Sequence, residues 1–353
     1  MRVKLEKRLT IPWPLYILLP LASIILAFAI IMALLIFLGK DPVIALSTMW
    51  KGAFGSSYSF FETVVKATPL MLVSLGVGIA SKAKLWNIGG DGQIIMGAFA
   101  ASGIALFFPG LPRPIMITMM IIVGFLAGGL WALIATLPRA ILGINEIITT
   151  VMFNFIAAYW IAYLVQGPWK DPKMVAFPLS APFVEAASLP TFGGTRIHLG
   201  LVFALIAALL ISVLINRTRW GFELRVIGSS KNAAKYAGIK VTRNILLVML
   251  LSGGLAGLAG MTEVTGIFHK LQTGIASGVG FTAFIVIFLA RGNPFGIILT
   301  SILLGALMTG ATAAQTVGVS VQIGEMIQGL ILFFVLASDF FLHNKVKIVC
   351  KSH

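Results

Sequence analysis

The sequence predicts an all-α, polytopic membrane protein with about ten transmembrane helices. Three observations predict it. Hydrophobic residues make up 59% of the 353 and charged residues only 10%, with a mean hydropathy of +1.02. Soluble domains carry about 25% charged residues. Several apolar runs reach the roughly 20 residues that a helix needs to cross a hydrocarbon core about 30 Å thick. These runs do not alternate apolar and polar residues, as barrel strands do.

Ten spans follow in order, at 15–38, 63–81, 88–108, 115–137, 147–165, 199–215, 244–265, 278–290, 295–313 and 323–342. The first follows the basic stretch "MRVKLEKR". Its run, Leu15–Leu38, is longer than the roughly 7–15 residues of a secretory signal core, and no small-residue cleavage site follows. It reads as an uncleaved transmembrane helix. The eighth span is short for a full crossing. It is either a half-helix or extends backward into "GIASG".

Basic residues set the orientation. With the N-terminus inside, inner segments hold 18 Lys and Arg and outer segments 7, with Lys66 in the second span completing the 26. This asymmetry places both termini in the cytoplasm. Residues 1–14 form an inner segment, 15–342 the membrane domain and 343–353 an inner tail. The outer loop 166–198 is rich in proline and aromatic residues. The inner loop 216–243 carries seven basic residues against one acid, Glu223.

Ten spans split five and five. Because five is odd, an internal repeat must be inverted in topology, as in many transporters. "NIGGDGQIIMGAFAA" in the first half and "GIASGVGFTAFIVIF" in the second are a weak echo of one. Both place glycines before an apolar helix.

The net charge of +15 does not point to nucleic acid, because the basic residues are scattered over six inner segments. No Walker lysine loop, GxSxG or HExxH is present. The only cysteine is Cys350, and neither a CxxC nor a histidine cluster with metal-ligand spacing occurs. The four histidines, His198, His269, His343 and His353, sit at span ends or the terminus. No catalytic residue and no metal site is therefore expected.

Three stretches carry the chemistry. In "NIGGDGQ", Gly89, Gly90 and Gly92 allow close backbone approach, and Asp91 is the only acid between Glu62 and Glu146. An interrupted helix in a transporter exposes backbone polar groups along a substrate path. The other reading is a cytoplasmic turn, with Asp91 capping the next helix. In "GINEIITTVMFN", Glu146, Thr150 and Asn154 recur every four residues and form one stripe, with Asn145 and Thr149 beside it. That stripe faces either a wet path or a partner helix through hydrogen bonds. In "SGGLAGLAGM", Gly253 and Gly257 are four apart, as are Gly124 and Gly128, which reads as helix packing.

"LWNIGGDGQIIMGA", "GINEIITTVMFNFIA", "GFELRVIGSSKNAAKYAGIKV", "LSGGLAGLAG" and "GFTAFIVIFLARGNPFG" resemble, in that order, the permease subunits of bacterial ABC importers. The branch includes the ribose, branched-chain amino acid and general nucleoside permeases. The resemblance covers roughly residues 60–335, and the first two motifs look most like the nucleoside and simple-sugar members. The family's usual motif carries glutamate where this chain has Asp91.

The resemblance implies a permease that pairs with a second one, identical or homologous, in the cell membrane of a prokaryote. It implies two ATPase subunits on the cytoplasmic face, which use the ATP, and no cofactor bound by the permease itself. It implies an extracytoplasmic substrate-binding protein, often a lipoprotein in the nucleoside branch. The loop 218–243 then matches the segment that receives the ATPase motion. Its candidate residues are Gly221, Glu223, Arg225, Gly228, Ala233, Ala234, Tyr236, Ala237 and Gly238. The glycine break lies near the pathway. For a nucleoside, Asn87, Gln93, Asn145 and Asn154 would supply hydrogen bonds, and Trp86 and Phe281 would supply stacking surfaces. The rivals are the same machine carrying a simple sugar, and an ion-coupled transporter using Asp91 or Glu146.

Overall fold

The computed structural model of the protein describes residues 2–7, 13–174 and 177–349. Cys350 and His353 lie outside them. Among the described residues, eight helices are long and apolar enough to cross a membrane. Two shorter apolar stretches, Leu21–Phe37 and Val279–Ala290, join them. Every expected span is a helix, and the chain is a multi-pass membrane protein. It divides into two compact units.

The larger unit covers Phe60–Gly305. Its most buried span is α3 (Ser57–Lys82), placed after α1 (Trp13–Phe37) and α2 (Pro42–Phe54) in chain order. The apolar window of α3 is 94% buried, against 28% for α6 (Glu146–Gln166) and 33% for α7 (Gly200–Arg217). A helix apolar all round belongs inside a bundle. In α6 and α7 many apolar side chains are instead exposed on the surface of the unit.

Helices α4 (Gly90–Phe107), α5 (Arg113–Leu142) and α10 (Val241–Glu263) pack on one another, and α3 meets α10 where Gly76 lies on the Ser252 carbonyl. The glycines of α10 let its backbone touch two neighbours. A Cβ on Gly257 would meet the backbone of Gly128 at 2.9 Å and would collide with the Gly124 carbonyl; one on Gly260 would collide with the Ile94 carbonyl. Small residues at four-residue spacing therefore serve close packing. Beyond Glu263 the helix widens into a π-turn, Val264–Phe268.

Between α7 and α10 lie two short helices, α8 (Arg219–Ser229) and α9 (Lys231–Tyr236). Thr218 caps the first by accepting from the Gly221 amide, and Ser230 caps the second by accepting from Ala233. Ala234 is buried, whereas Tyr236 is 94% exposed. Gly238, at φ 74°, closes α9 in a Schellman motif: the Gly238 amide donates to Lys235 and Ile239 to Ala234. The half-helix α11 (Val279–Ala290) has 12 residues, a rise of only about 18 Å. An irregular loop with left-handed Gly274, Ser277 and Gly278 precedes it. The backward extension through "GIASG" is therefore not helical. The unit ends within α12 (Pro294–Ala314).

The smaller unit gathers the described residues of 1–59 and 306–353. Helix α1 packs on α13 (Gln322–His343), and the Ser23 hydroxyl donates to the Phe334 carbonyl at 2.9 Å. The outer segment 39–62, expected as a connection, contains α2. Asp41 caps it by accepting from Val43 and Ile44, and Pro42 opens it. Strands β1 (Arg2–Lys7) and β2 (Asn344–Val349) form an antiparallel ribbon, with Arg2 opposite Val349 and Lys7 opposite Asn344. Apart from this ribbon the elements are helical.

Candidate functional site

The site begins where α3 stops. The Lys84 amide donates to Ser81 and the Leu85 amide to Ala80. Lys84 itself is left-handed at φ 52°. This is a Schellman ending with lysine in the place glycine usually holds. Seven residues, 83–89, then run without helix before α4 starts at Gly90.

Buried side-chain amides supply hydrogen bonds to this irregular backbone. Asn87 and Gln93 are fully buried and exchange two hydrogen bonds of 2.8 Å. Asn87 also donates to the Ser252 hydroxyl on α10 at 2.8 Å and accepts from the Gly89 amide at 3.2 Å. From α6, Asn154 clips the break on both sides. Its Oδ1 accepts from Gly92 at 2.8 Å, and its Nδ2 donates to Ile88 at 2.9 Å. A Cβ on Gly92 would press on the Asn154 backbone at 3.0 Å.

The break meets the start of α11. Asp91 Oδ1 accepts from the Gly280 amide at 2.7 Å. A carboxylate at a helix N-terminus satisfies an orphan amide and suits the positive end of the dipole. Asp91 caps the start of α11 through this bond and lies in the first turn of α4, where an acid suits the dipole. The two glycine-led motifs of the sequence echo thus touch each other.

Beside this junction is a cavity of about 280 Å³, at the small end of ligand pockets. Its wall comprises Asp91 and Ile95 from α4, Asn154, Phe155, Ala158 and Ile161 from α6, the loop 272–278, and Phe281 from α11. Of the expected pathway residues, Asp91, Asn154 and Phe281 line it. Gly89, Gly90, Asn87 and Gln93 stand behind them and hold the wall. Phe155, Gln272 and Thr273 are not singled out by the sequence, whereas Gly274–Gly278 open the second of its two glycine-led motifs. Phe155 directly follows Asn154, and the loop carries the glycines that precede α11.

The remaining pathway candidates form a separate group at the foot of α6. Asn145 is the N-cap, accepting from Ile147 at 3.0 Å. Glu146 is buried and pairs with Arg139 at 3.2 Å, while its Oε1 lies 3.4 Å from the Trp86 amide. Thr149 and Thr150 return hydrogen bonds to the Glu146 carbonyl at 3.2 and 2.7 Å. Trp86 packs against Phe288, with ring centroids 5.9 Å apart, and does not line the cavity.

Helix α8 is fastened to the same end of the unit. Glu223 accepts from Asn244 at 2.9 Å, and Asn244 accepts from Trp220 at 2.6 Å. Arg225 donates to the Ile215 carbonyl, and Gly221 lies on the Leu214 and Ile215 carbonyls. Gly228 lies directly on the Lys82 carbonyl, the last residue of α3. Ala233 and Ala237 are exposed beside Tyr236.

At the other end of α3, Glu62 pairs with Arg196 at 2.9 Å. Nearby His198 is buried, and its Nδ1 accepts from the Gly200 amide at 3.1 Å. Burial, with His269 and Arg196 adding positive charge, lowers its pKa to about 4.

Residues 59–336 match the family model described as branched-chain amino acid transport system / permease component. The chain is 33% identical to a glucose ABC transporter permease protein of Haloferax volcanii, over 98% of this chain and 94% of that one. It is 34% identical to a guanosine ABC transporter permease protein of Bacillus subtilis, over 92% and 94%. It is 29% identical to a nucleoside ABC transporter permease protein of Lactococcus lactis, over 90% of each chain. Carrying the glycine break, the polar clip and the small-residue packing in one membrane bundle, the chain belongs to this family of ABC transporter permeases.

Proposed function

We propose that this permease is the membrane-spanning subunit of an ATP-driven importer of nucleosides in the cytoplasmic membrane of a prokaryote. The cavity is the observation that carries the cargo. Its wall offers neutral hydrogen-bonding groups at Gln272 and Thr273, aromatic faces at Phe155 and Phe281, and one carboxylate. A nucleoside is polar and uncharged, with hydroxyls to bond and a base to stack. The guanosine and nucleoside permeases among the relatives support the same cargo. The glucose permease favours a second reading, in which the same machine carries a simple sugar.

Transport proceeds by alternating access. Two ATPase subunits bind ATP and dock on the face bearing α8 and α9; the permease holds no cofactor of its own. A second permease, identical or homologous, completes the passage, and a binding protein delivers cargo to the opposite face. Helix α8 bears on the Lys82 carbonyl, so its displacement moves the glycine break. The break in turn holds Asp91 and the Asn154 clip, and therefore the cavity wall. Copurification with an ATPase whose hydrolysis depends on this chain tests the class. A chain that purifies without one and still moves cargo would be an ion-coupled transporter instead.

A further inference from the structure

The cavity wall supports a narrower statement about cargo, which rests on the importer reading above. Among the described residues, Asp91 is the only ionisable side chain in that wall. Much of the other polar surface is already committed. Asn154 gives its carbonyl to Gly92 and its amide to Ile88, and the Ser277 hydroxyl donates to Gly274. The Asp91 carboxylate is held in place by the Gly280 amide through Oδ1. An ionised carboxylate accepts only, at about four lone-pair sites, so one amide does not exhaust it.

We propose that Asp91 is the specificity-determining residue of the passage, accepting hydrogen bonds from two neighbouring hydroxyls of the cargo's sugar ring. Two adjacent O–H donors match the two acceptor oxygens of a carboxylate, and hydrogen bonds to a charged acceptor are the stronger class. The bond to Gly280 pre-sets the carboxylate, so cargo binding requires little reordering of it. A ring lacking one hydroxyl leaves an acceptor without its cargo partner, and sites built on hydrogen bonding reject such analogues strongly. Among the described residues no cationic side chain stands in the wall, so a phosphorylated sugar finds no charge partner there. The neutral groups and aromatic faces fix the remainder of the cargo without selecting its charge.

The test uses the complete transporter in proteoliposomes, with permeases, ATPase subunits and binding protein. Uptake of guanosine and of 2′-deoxyguanosine is measured at saturating cargo, so that the binding protein's own preference drops out. Wild type is expected to move guanosine at least about tenfold faster. D91N keeps an oxygen for the Gly280 amide but removes the charge and one acceptor. It is expected to slow guanosine about tenfold and to bring the ratio of the two cargoes near one. D91E retains a carboxylate and is expected to preserve the preference, which separates recognition from helix capping. ATP-dependent guanosine uptake with the same ratio in wild type and D91N overturns this proposal alone. ATP-dependent uptake of glucose in place of guanosine shifts the comparison to glucose against 2-deoxyglucose, with the same expected ratios. ATP-dependent uptake of neither overturns the importer reading, and this proposal with it.

Discussion

The carboxylate of Asp91, in the first turn of α4, accepts a hydrogen bond from the Gly280 amide in the first turn of α11, across 189 residues of sequence. The first turn of α4 thus caps the start of α11, and the approach of the two depends on glycine. A Cβ on Gly280 would stand 2.5 Å from the Asp91 nitrogen, and one on Gly90 would stand 2.9 Å from the Gly280 Cα.

Gly280→Ala should therefore force the two starts apart. Overpacking of this kind destabilises by about 1–3 kcal/mol, and the displaced carboxylate should slow uptake about tenfold. Melting temperature and uptake by the reconstituted transporter check both. Full uptake in the variant would mean the junction is not part of the path.

Gly228→Ala places a methyl group on the Lys82 carbonyl. It should leave ATPase subunits bound but weaken the link between hydrolysis and transport, by about 5–150-fold for a coupling of typical strength. Cargo moved per ATP hydrolysed is the readout. A wild-type ratio would show that α8 does not act through the end of α3.

Glu146→Ala leaves Arg139 without its partner at the foot of α6. Breaking a buried pair from one side destabilises by about 3–5 kcal/mol; Arg139 is partly exposed, which reduces the loss. A double-mutant cycle with Arg139→Ala isolates the pair. Additive losses would remove the ion pair from the account.

His198 sets a pH dependence. Its pKa is about 4 in the fold against an ordinary 6.5, so between those values the unfolded chain binds the extra proton. The stability it contributes is full above pH 6.5 and is lost as pH falls toward 4, by up to about 1.4 kcal/mol per pH unit. His198→Gln, which cannot titrate, should show a smaller fall in melting temperature between pH 7.5 and pH 5. An equal fall in both proteins would assign the acid sensitivity to other groups.

The spans were legible because burial in lipid writes length and hydropathy directly into the chain. The small-residue spacing of α10 was legible too, since close backbone contact demands glycine at Gly253 and Gly257. Helix α2 was not, because its 13 residues are too short for the hydropathy criterion and its signal was only the Asp41–Pro42 start. The terminal ribbon was hidden because pairing over more than 300 residues leaves no local period. At the site, the four-residue spacing put Glu146, Thr150 and Asn154 on one stripe. It could not say that Asn154 reaches the cavity while Glu146 serves Arg139 and Trp86. That division depends on which neighbour each turn of α6 meets, and the helix period does not record neighbours. Gln272 and Thr273 carried no motif, and only the fold brings them to Asp91.

The central claim is tested most directly by labelled nucleoside uptake into proteoliposomes holding the permeases and binding protein, with and without the ATPase subunits, at fixed ATP. The account predicts guanosine uptake that requires both ATPase and ATP. Uptake that proceeds without the ATPase would contradict it and would turn attention to Asp91 and Glu146 as ion-coupling acids.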